Sequence, residues 1–357
     1  MCNRPMKFSF AFVLALALGA VAFAPAAHAQ SAPSSSSVSG AAQTEDFSTL
    51  ALPSQGLLAL PPELVDKDEE EDYTQDVVRV MWREGDPIYL YVTRPANVSK
   101  PPVVIYLYGY PGESDIFSDD DWCRNTTRGG YASVGFVPYL TGQRYHDVPM
   151  KEWFVSQMRR SLVATTHDVQ MVLNYLAERG DVDVNNAGVF GVGVGGTIAA
   201  LAASADSRIK GIELVDPWGD WPVWLAKSKL VPDNERADYL KPEFLNRIAP
   251  FDPVVVLPAL KTPHISIHQR NDDVVTPEDA KRRVEEALPA TAERRRFQNA
   301  AEFNAALAAD GHHAYDWLKQ QLKSASVKTA GENSDQARPD LGSAGQGRVV
   351  RAGQAAE

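Results

Sequence analysis

Short apolar runs alternate with amphipathic stretches along the middle of the chain, and this alternation predicts strands followed by helices. The run 103–108 is continuously apolar and ends at Gly109, which is typical of a strand buried on both faces. Apolar positions then recur at helical spacing over 161–178 and again over 276–288. The other strand-like runs are 76–82, 88–93, 134–140, 187–190, 209–215 and 264–268.

The order of these elements indicates a fold class. The runs 76–82 and 88–93 flank the sequence Arg83-Glu-Gly-Asp-Pro87, which predicts a hairpin. The later runs form repeated strand–helix units, and such units build a parallel sheet covered by helices. We therefore predict an α/β fold with a mostly parallel central sheet and helices on both faces.

The N-terminus carries a different pattern. Arg4 and Lys7 precede an apolar stretch over 8–24, and Ala27-His28-Ala29 places small residues at the −3 and −1 positions of a cleavage site. This layout predicts a signal peptide over 1–29 and an exported protein, periplasmic or secreted, that is free of the membrane after cleavage. An uncleaved membrane anchor is the alternative, but the run is short and rich in alanine.

Low-complexity segments delimit the folded part of the chain. Residues 30–72 are first rich in Ser and Ala and then acidic, with six acids around Lys67, and predict a flexible leader. Residues 324–357 are rich in Gly, Ala, Ser and Gln and predict a disordered tail. One domain over 73–323 is left between them.

Composition excludes several classes of protein. The 357 residues include 35 Lys+Arg and 46 Asp+Glu, a net charge of −11, whereas a nucleic-acid binder normally presents a basic surface. Loss of the signal peptide removes two basic residues and makes the charge −13. It also removes Cys2, which leaves Cys123 without a partner for an internal disulfide.

A glycine-rich turn at 191–196 has two interpretations. Gly191, Gly193 and Gly196 fit the pattern G-x-G-x-x-G, with Glu213 at about the distance of a ribose-binding acid, which would indicate a nucleotide or phosphate site. The same turn can be centred on Gly193 as G-x-G-x-G. A dinucleotide fingerprint usually opens its domain, whereas at least four predicted strands precede this turn.

Four segments in order resemble the α/β-hydrolase superfamily, and the dienelactone-hydrolase and prolyl-oligopeptidase-like branches in particular. Gly191-Val-Gly193-Val-Gly195 resembles the nucleophile elbow G-x-S-x-G, with glycine where the family has serine. Tyr108-Gly-Tyr-Pro-Gly112 resembles an oxyanion loop, the sequence 271–277 resembles the turn that carries the catalytic acid, and Gly311-His312 resembles the catalytic histidine with its preceding glycine. The resemblance covers about 73–322 and implies the α/β-hydrolase fold.

The resemblance also implies roles for individual residues. Position 193 is the nucleophile position, and glycine leaves it vacant. Asp272 is the implied orienting acid, with Asp273 as alternative, and His312 is the implied base, with His313 as alternative. The backbone N–H groups of Tyr110 and Val194 are the implied oxyanion hole.

A lid insertion is expected over 216–249, after the strand that follows the elbow helix. Trp218, Trp221 and Trp224 recur there every three residues. One hypothesis places Trp218 and Trp221 over a ligand pocket, and the other assigns these side chains to packing. The prolines of the segment predict an irregular backbone.

Three functional hypotheses follow. The first is a non-hydrolytic protein that binds a small apolar or ester-like ligand where the family binds substrate. The second is a working carboxylic ester hydrolase that uses water or a displaced nucleophile, for which Cys123 and Ser114 are the candidates. The third is a nucleotide or phosphate binder. We predict no cofactor and no metal, because His146, His167, His264 and His268 lack metal-ligand spacing.

Overall fold

The computed structural model describes residues 45–53, 60–109, 114–144, 153–260, 264–308 and 316–322. Strands within these residues form one sheet in the order β1-β2-β3-β5-β4-β6-β7-β8-β9. The strands are β1 Glu63–Glu69, β2 Tyr73–Val80, β3 Ile88–Pro95, β4 Pro102–Leu107, β5 Ala132–Gly135, β6 Asp183–Val192, β7 Ile209–Val215, β8 His264–Arg270 and β9 Glu293–Phe297.

The sheet has an antiparallel end and a parallel remainder. Three antiparallel pairs form one end of the sheet: β1 with β2, β2 with β3, and β3 with β5. Strands β2 and β3 form the predicted hairpin. From β5 through β4, β6, β7, β8 and β9 every pair is parallel. The carboxyl ends of the parallel strands therefore meet at one edge, where α/β proteins place their sites.

Helices cover both faces of the sheet, which confirms the predicted α/β architecture. One apolar cluster joins the sheet to α1, α9 and a helical segment over 316–322, and a larger cluster joins the other face to α2–α8. The helices are α1 Asp120–Thr127, α2 Met158–Arg179, α3 Val194–Ala205, α4 Trp221–Lys227, α5 Asp233–Tyr239, α6 Pro242–Ile248, α7 Pro253–Val256, α8 Glu278–Glu286 and α9 Ala300–Ala308.

The lid segment and strand β9 differ from the sequence prediction. The segment 216–249 contains three short helices instead of irregular backbone, because Pro222, Pro232 and Pro242 stand at helix starts, where a missing N–H costs nothing. Strand β9 has the sequence Glu-Arg-Arg-Arg-Phe and is mostly exposed, so the apolar pattern did not indicate it.

The ends of the chain lie largely outside the described residues. These include the predicted signal peptide over 1–29 and the tail over 324–357. Among the helices that the structure does describe, none has the length and apolar character of a membrane span.

The leader predicted over 30–72 is too long at its C-terminal end. Residues Glu63–Glu69 form the edge strand β1, whose side chains are all exposed, so backbone pairing with β2 holds it in place. Residues 45–53 pack along α2, where Gln170 accepts from the N–H of Leu52 at 3.0 Å and donates to the carbonyl of Leu50 at 2.7 Å. Strand β1 is held by backbone pairing, and the segment 45–53 is held by hydrogen bonds and by Phe47, Leu50 and Leu52, which pack on the core.

A buried charge cluster fastens this N-terminal segment to the domain. Arg83 binds Glu45 through two nitrogens, at 2.5 and 2.6 Å, and also binds Asp168 on α2. Arg144 forms a fork with Asp86, at 2.6 and 3.0 Å, and contacts Asp168 at 2.7 Å. Such buried ions are tolerated only when each is paired and hydrogen-bonded.

His167 also contacts this cluster. Its Nδ1 lies 2.6 Å from Glu45 Oε1 and its Nε2 lies 3.0 Å from the carbonyl oxygen of Thr49. Both ring nitrogens of His167 therefore connect α2 to the segment 45–53.

The turn between β6 and α3 requires glycine on steric grounds. A Cβ on Gly191 would overlap the carbonyl oxygen of Gly195, and a Cβ on Gly195 would overlap the carbonyl oxygen of Leu107 in β4. Both overlaps are with backbone, which cannot rotate away. Helix α3 therefore begins in direct contact with two neighbouring strands.

We expect Gly195→Ala to destabilise the protein by more than about 3 kcal/mol, because overpacking against backbone is relieved only by moving α3 from the sheet. Gly85 has φ 72° with nothing within 4 Å of its Cβ position, so Gly85→Ala isolates the backbone cost, about 1 kcal/mol. Urea unfolding measures the free energy of unfolding of both variants. Equal losses in the two variants would contradict the steric account.

We expect Glu45→Gln to destabilise the protein, because it removes the negative charge of the side chain while it keeps a hydrogen-bond acceptor. Burial raises the pKa of Glu45, but hydrogen bonds from His167 and Arg83 outweigh burial and lower the pKa below its ordinary value of 4.5. The ion pairs therefore stabilise the fold above pH 4.5 and are lost as pH falls through the lower folded-state pKa. The variant should lose about 1–2 kcal/mol, roughly 2–6 °C in Tm, at pH 7.

This Tm difference should shrink as the pH falls from 5 to 3, since protonated Glu45 resembles glutamine. Glu286→Gln, in an exposed pair with Arg282, is the control and should change Tm little at any pH. A difference that is independent of pH would show that the charge of Glu45 does not stabilise the fold.

Candidate functional site

The turn between β6 and α3 has a backbone that few residues adopt. Gly193 has φ 58° and ψ −123°, and its N–H donates to the carbonyl of Val215 at 2.8 Å. The Cβ position of Gly193 lies 3.6 Å from Gly109 Cα and 3.3 Å from the indole Nε1 of Trp218. The turn thus has the sharp strand-to-helix geometry of a nucleophile elbow, with no side chain to act as nucleophile.

One candidate hydrogen-bond donor in the described part of the chain, the N–H of the buried Val194, lies beside this elbow. Val194 is the first residue of α3, and a first-turn N–H has no acceptor within its own helix. The loop that follows β4 begins against the elbow, because Gly109 and Gly193 are in van der Waals contact and both are partly exposed. Tyr110, predicted to supply the second oxyanion donor, lies outside the described residues.

The two candidate acids have different surroundings. Asp273 accepts from the N–H groups of Val275 and Thr276, at 3.0 and 3.1 Å, and lies 3.7 Å from Lys281 Nζ, so its carboxylate stabilises the turn after β8. Asp272 is exposed and accepts from the N–H of Ala300 at 2.9 Å. It therefore faces the start of α9.

The predicted histidines follow α9 in the chain. His312 and its alternative His313 lie outside the described residues, between α9 and the helical segment 316–322. The chain order of elbow, acid and histidine is the one that the α/β-hydrolase fold uses.

The tryptophans of the lid segment are mainly packing residues. Trp218 and Trp224 stack with ring centroids 4.6 Å apart, and Trp221 meets Trp224 edge-on at 6.2 Å. Trp221 is only 1% exposed, which favours the packing hypothesis for this side chain. Trp218 is also buried, but its indole N–H edge reaches the elbow.

Neither Cys123 nor Ser114 is suited to replace the missing nucleophile. Cys123 is 1% exposed within the apolar cluster beneath α1, and burial raises the pKa of its thiol to about 11, which keeps it protonated at neutral pH. Ser114 is 2% exposed. The hypothesis that one of them replaces the elbow residue is therefore wrong.

A buried serine, histidine and glutamate lie together but do not form a catalytic triad. His268 Nε2 lies 2.8 Å from Glu213 Oε1 and 3.2 Å from Ser266 Oγ. A triad uses the two different ring nitrogens, whereas both partners here approach the same one. Glu213 is 2% exposed and is committed to this cluster, which opposes its assignment to a ribose.

Sequence reasoning missed Asp216 as a member of the site edge. It ends β7 next to the elbow, has φ 43°, and accepts from the N–H and Nε of Arg270, at 2.7 and 2.5 Å. Burial raises its pKa although Arg270 opposes this. An acid directly after a parallel strand was the available sequence clue. Within the described residues, no group of three or more His, Cys, Asp or Glu is placed to hold a metal ion.

Comparisons with known proteins agree with this geometry. Residues 151–325 match the model of the prolyl oligopeptidase family. An acetyl xylan esterase from Paenibacillus sp. R4 aligns with a TM-score of 0.55 and 19% identity, over 68% of this chain and 82% of that chain. Acetyl xylan esterase 1 from Thermoanaerobacterium sp. JW/SL YS485 aligns with a TM-score of 0.53 and 15% identity, over 67% of this chain and 81% of that chain.

A cold-adapted esterase from an Arctic intertidal metagenomic library gives a TM-score of 0.50 and 14% identity, over 74% of this chain and all of that chain. No curated protein sequence matches the chain. At these identities the structural likeness concerns the fold and does not extend to substrate. With the parallel sheet and the helices on both its faces, it shows that the chain has the α/β-hydrolase fold.

Proposed function

We propose that this protein is an exported, non-hydrolytic member of the superfamily that binds a small carbonyl-bearing ligand, such as an ester, at the elbow. The observation that carries the proposal is the backbone of Gly193, which keeps the elbow conformation and its donors while it lacks a nucleophile. Export rests on the leader of the sequence, 1–29.

The elbow can bind the carbonyl group of a ligand, but it has no nucleophile for acyl transfer. The N–H of Val194 donates to a carbonyl oxygen, and the N–H of Tyr110 is the proposed second donor. Trp218 adds an indole N–H and an apolar wall. Without a hydroxyl or thiol at 193 no acyl-enzyme forms, and the remaining groups give at most about 10³–10⁴-fold acceleration over water.

Asp272 and His312 are the proposed acid and base of the same site. In a hydrolase this pair deprotonates the nucleophile, and in this chain it has no nucleophile to act on. The pair would orient the ligand or a water molecule instead. The alternative function is an ester hydrolase in which His312 activates water. It uses the same residues, but it predicts that the bound ester is turned over.

We expect the native protein and Gly193→Ala to leave p-nitrophenyl acetate unhydrolysed, and Gly193→Ser to gain at least about tenfold over background. The alanine variant is the matched control, since both variants add a Cβ at the same strained backbone and only serine adds a hydroxyl. The gain should disappear in Gly193→Ser/His312→Ala. Initial rates at pH 7–8 measure these effects.

Hydrolysis by the native protein that is lost in His312→Ala would contradict the non-hydrolytic proposal and favour the water mechanism. Absence of a gain in a folded Gly193→Ser would contradict the retention of Asp272 and His312 as a working pair. Circular dichroism and Tm establish that each variant is folded.

Ligand binding at the elbow is expected to depend on Trp218. 4-Nitroacetanilide, an unhydrolysed analogue of the nitrophenyl ester, should quench tryptophan fluorescence, and Trp218→Phe should weaken its Kd by roughly threefold to tenfold, the effect of one neutral hydrogen bond. Trp317→Phe is the control, because Trp317 is bonded to Glu293 on the other side of the sheet. Equal affinities for the native protein and Trp218→Phe would remove Trp218 from the site.

A further inference from the structure

A cavity of about 300 Å³ lies at the start of α2, away from the elbow residues. Helix α6 and the docked N-terminal segment form its other walls. The side chains that the following argument uses are Phe47, Arg159, Arg160, Phe244 and Arg247. None of them belongs to the elbow, so a ligand here is independent of the proposed function.

The arginines of this cavity differ from the rest of the protein. Among the described residues, the arginines with no carboxylate within 4.0 Å are Arg159, Arg160, Arg247 and Arg294. Arg294 is bound by three backbone carbonyls instead. The other three line the same cavity, in a chain whose net charge is −11.

Neutral groups hold these guanidinium groups in place. Arg159 donates from Nε to the carbonyl of Phe47 at 2.8 Å. Arg160 lies over the Phe47 ring at 5.2 Å and over the Tyr139 ring at 5.5 Å, and Arg247 lies over the Phe244 ring at 5.6 Å. Cation–π contacts of this kind orient the charge and leave it unneutralised.

Hydrogen bonds from Ser48 and, to a smaller extent, the charge of Arg159 lower the pKa of Asp46, but Asp46 forms no ion pair with Arg159. Asp46 accepts from the hydroxyl and the N–H of Ser48, at 2.6 and 2.8 Å, and its side chain is exposed. Three positive charges in one concave site, with no acid bound to them, attract an anion. The planar fork of arginine matches a carboxylate particularly well.

We propose that this cavity binds a small aromatic carboxylate. The arginines supply the forked donors for the carboxylate, and Phe47, Phe244 and the buried Met158 and Ile248 supply an apolar wall for the ring. A volume of about 300 Å³ accommodates a two-ring molecule and is larger than an inorganic oxyanion requires.

Isothermal titration calorimetry with 2-naphthoate tests the proposal, with 2-naphthamide as its uncharged match. We expect 2-naphthoate to bind in 50 mM salt, more weakly in 300 mM salt, and at least about tenfold more tightly than 2-naphthamide. Arg160→Gln and Arg247→Gln should each weaken 2-naphthoate binding by about tenfold, and Arg247→Lys by less.

Arg282→Gln is the matched control, since it removes the same charge from an exposed pair on α8 and should leave binding unchanged. Arg160 and Arg247 are exposed and hold no carboxylate among the described residues, so the variants should fold, and Tm checks this. Unchanged affinity in Arg160→Gln and Arg247→Gln, or equal affinity for acid and amide, would overturn the proposal. If inorganic phosphate binds as tightly as 2-naphthoate, the inference that the ligand is aromatic is overturned.

Discussion

The close approach of α3 to the sheet is the constraint on which the candidate site depends. Gly195 lies against the carbonyl of Leu107 and Gly191 lies against the carbonyl of Gly195, so a side chain at either position would separate the helix from β4 and β6. This packing sets the sharp turn at Gly193 and places the first N–H groups of α3 at the edge of the sheet. The donors, the loop after β4 and the end of β7 then meet at one point.

Buried ion pairs stabilise a different part of the molecule. Glu45, His167, Asp168, Arg83 and Arg144 connect the N-terminal segment, the β2–β3 hairpin and α2. The same segment brings Phe47 to the arginine-lined cavity, where cations have no acidic partner among the described residues. Arginines are thus paired with carboxylates in the buried cluster, whereas the three arginines of the cavity contact no carboxylate among the described residues.

Much of the fold was predictable because apolar runs mark the central strands. The runs 103–108 and 209–215 are buried on both faces and correspond to β4 and β7. Strands β1 and β9 were missed because their residues are charged and exposed and only backbone pairing holds them. The elbow was predictable because its glycines have fixed spacing. The positions of Trp218 and Asp216 beside it were not, since they depend on tertiary packing.

The glycine at 193 affects stability and chemistry together. A residue with a Cβ in this backbone conformation carries strain of about 1–3 kcal/mol, which hydrolases accept in order to present a nucleophile. Glycine adopts the conformation without that strain and leaves Trp218 Nε1 only 3.3 Å from the Cβ position. A serine at this position would have to displace the indole by a few tenths of an ångström or bond to it. The absence of a side chain at 193 and the placement of Trp218 therefore belong to one packing solution.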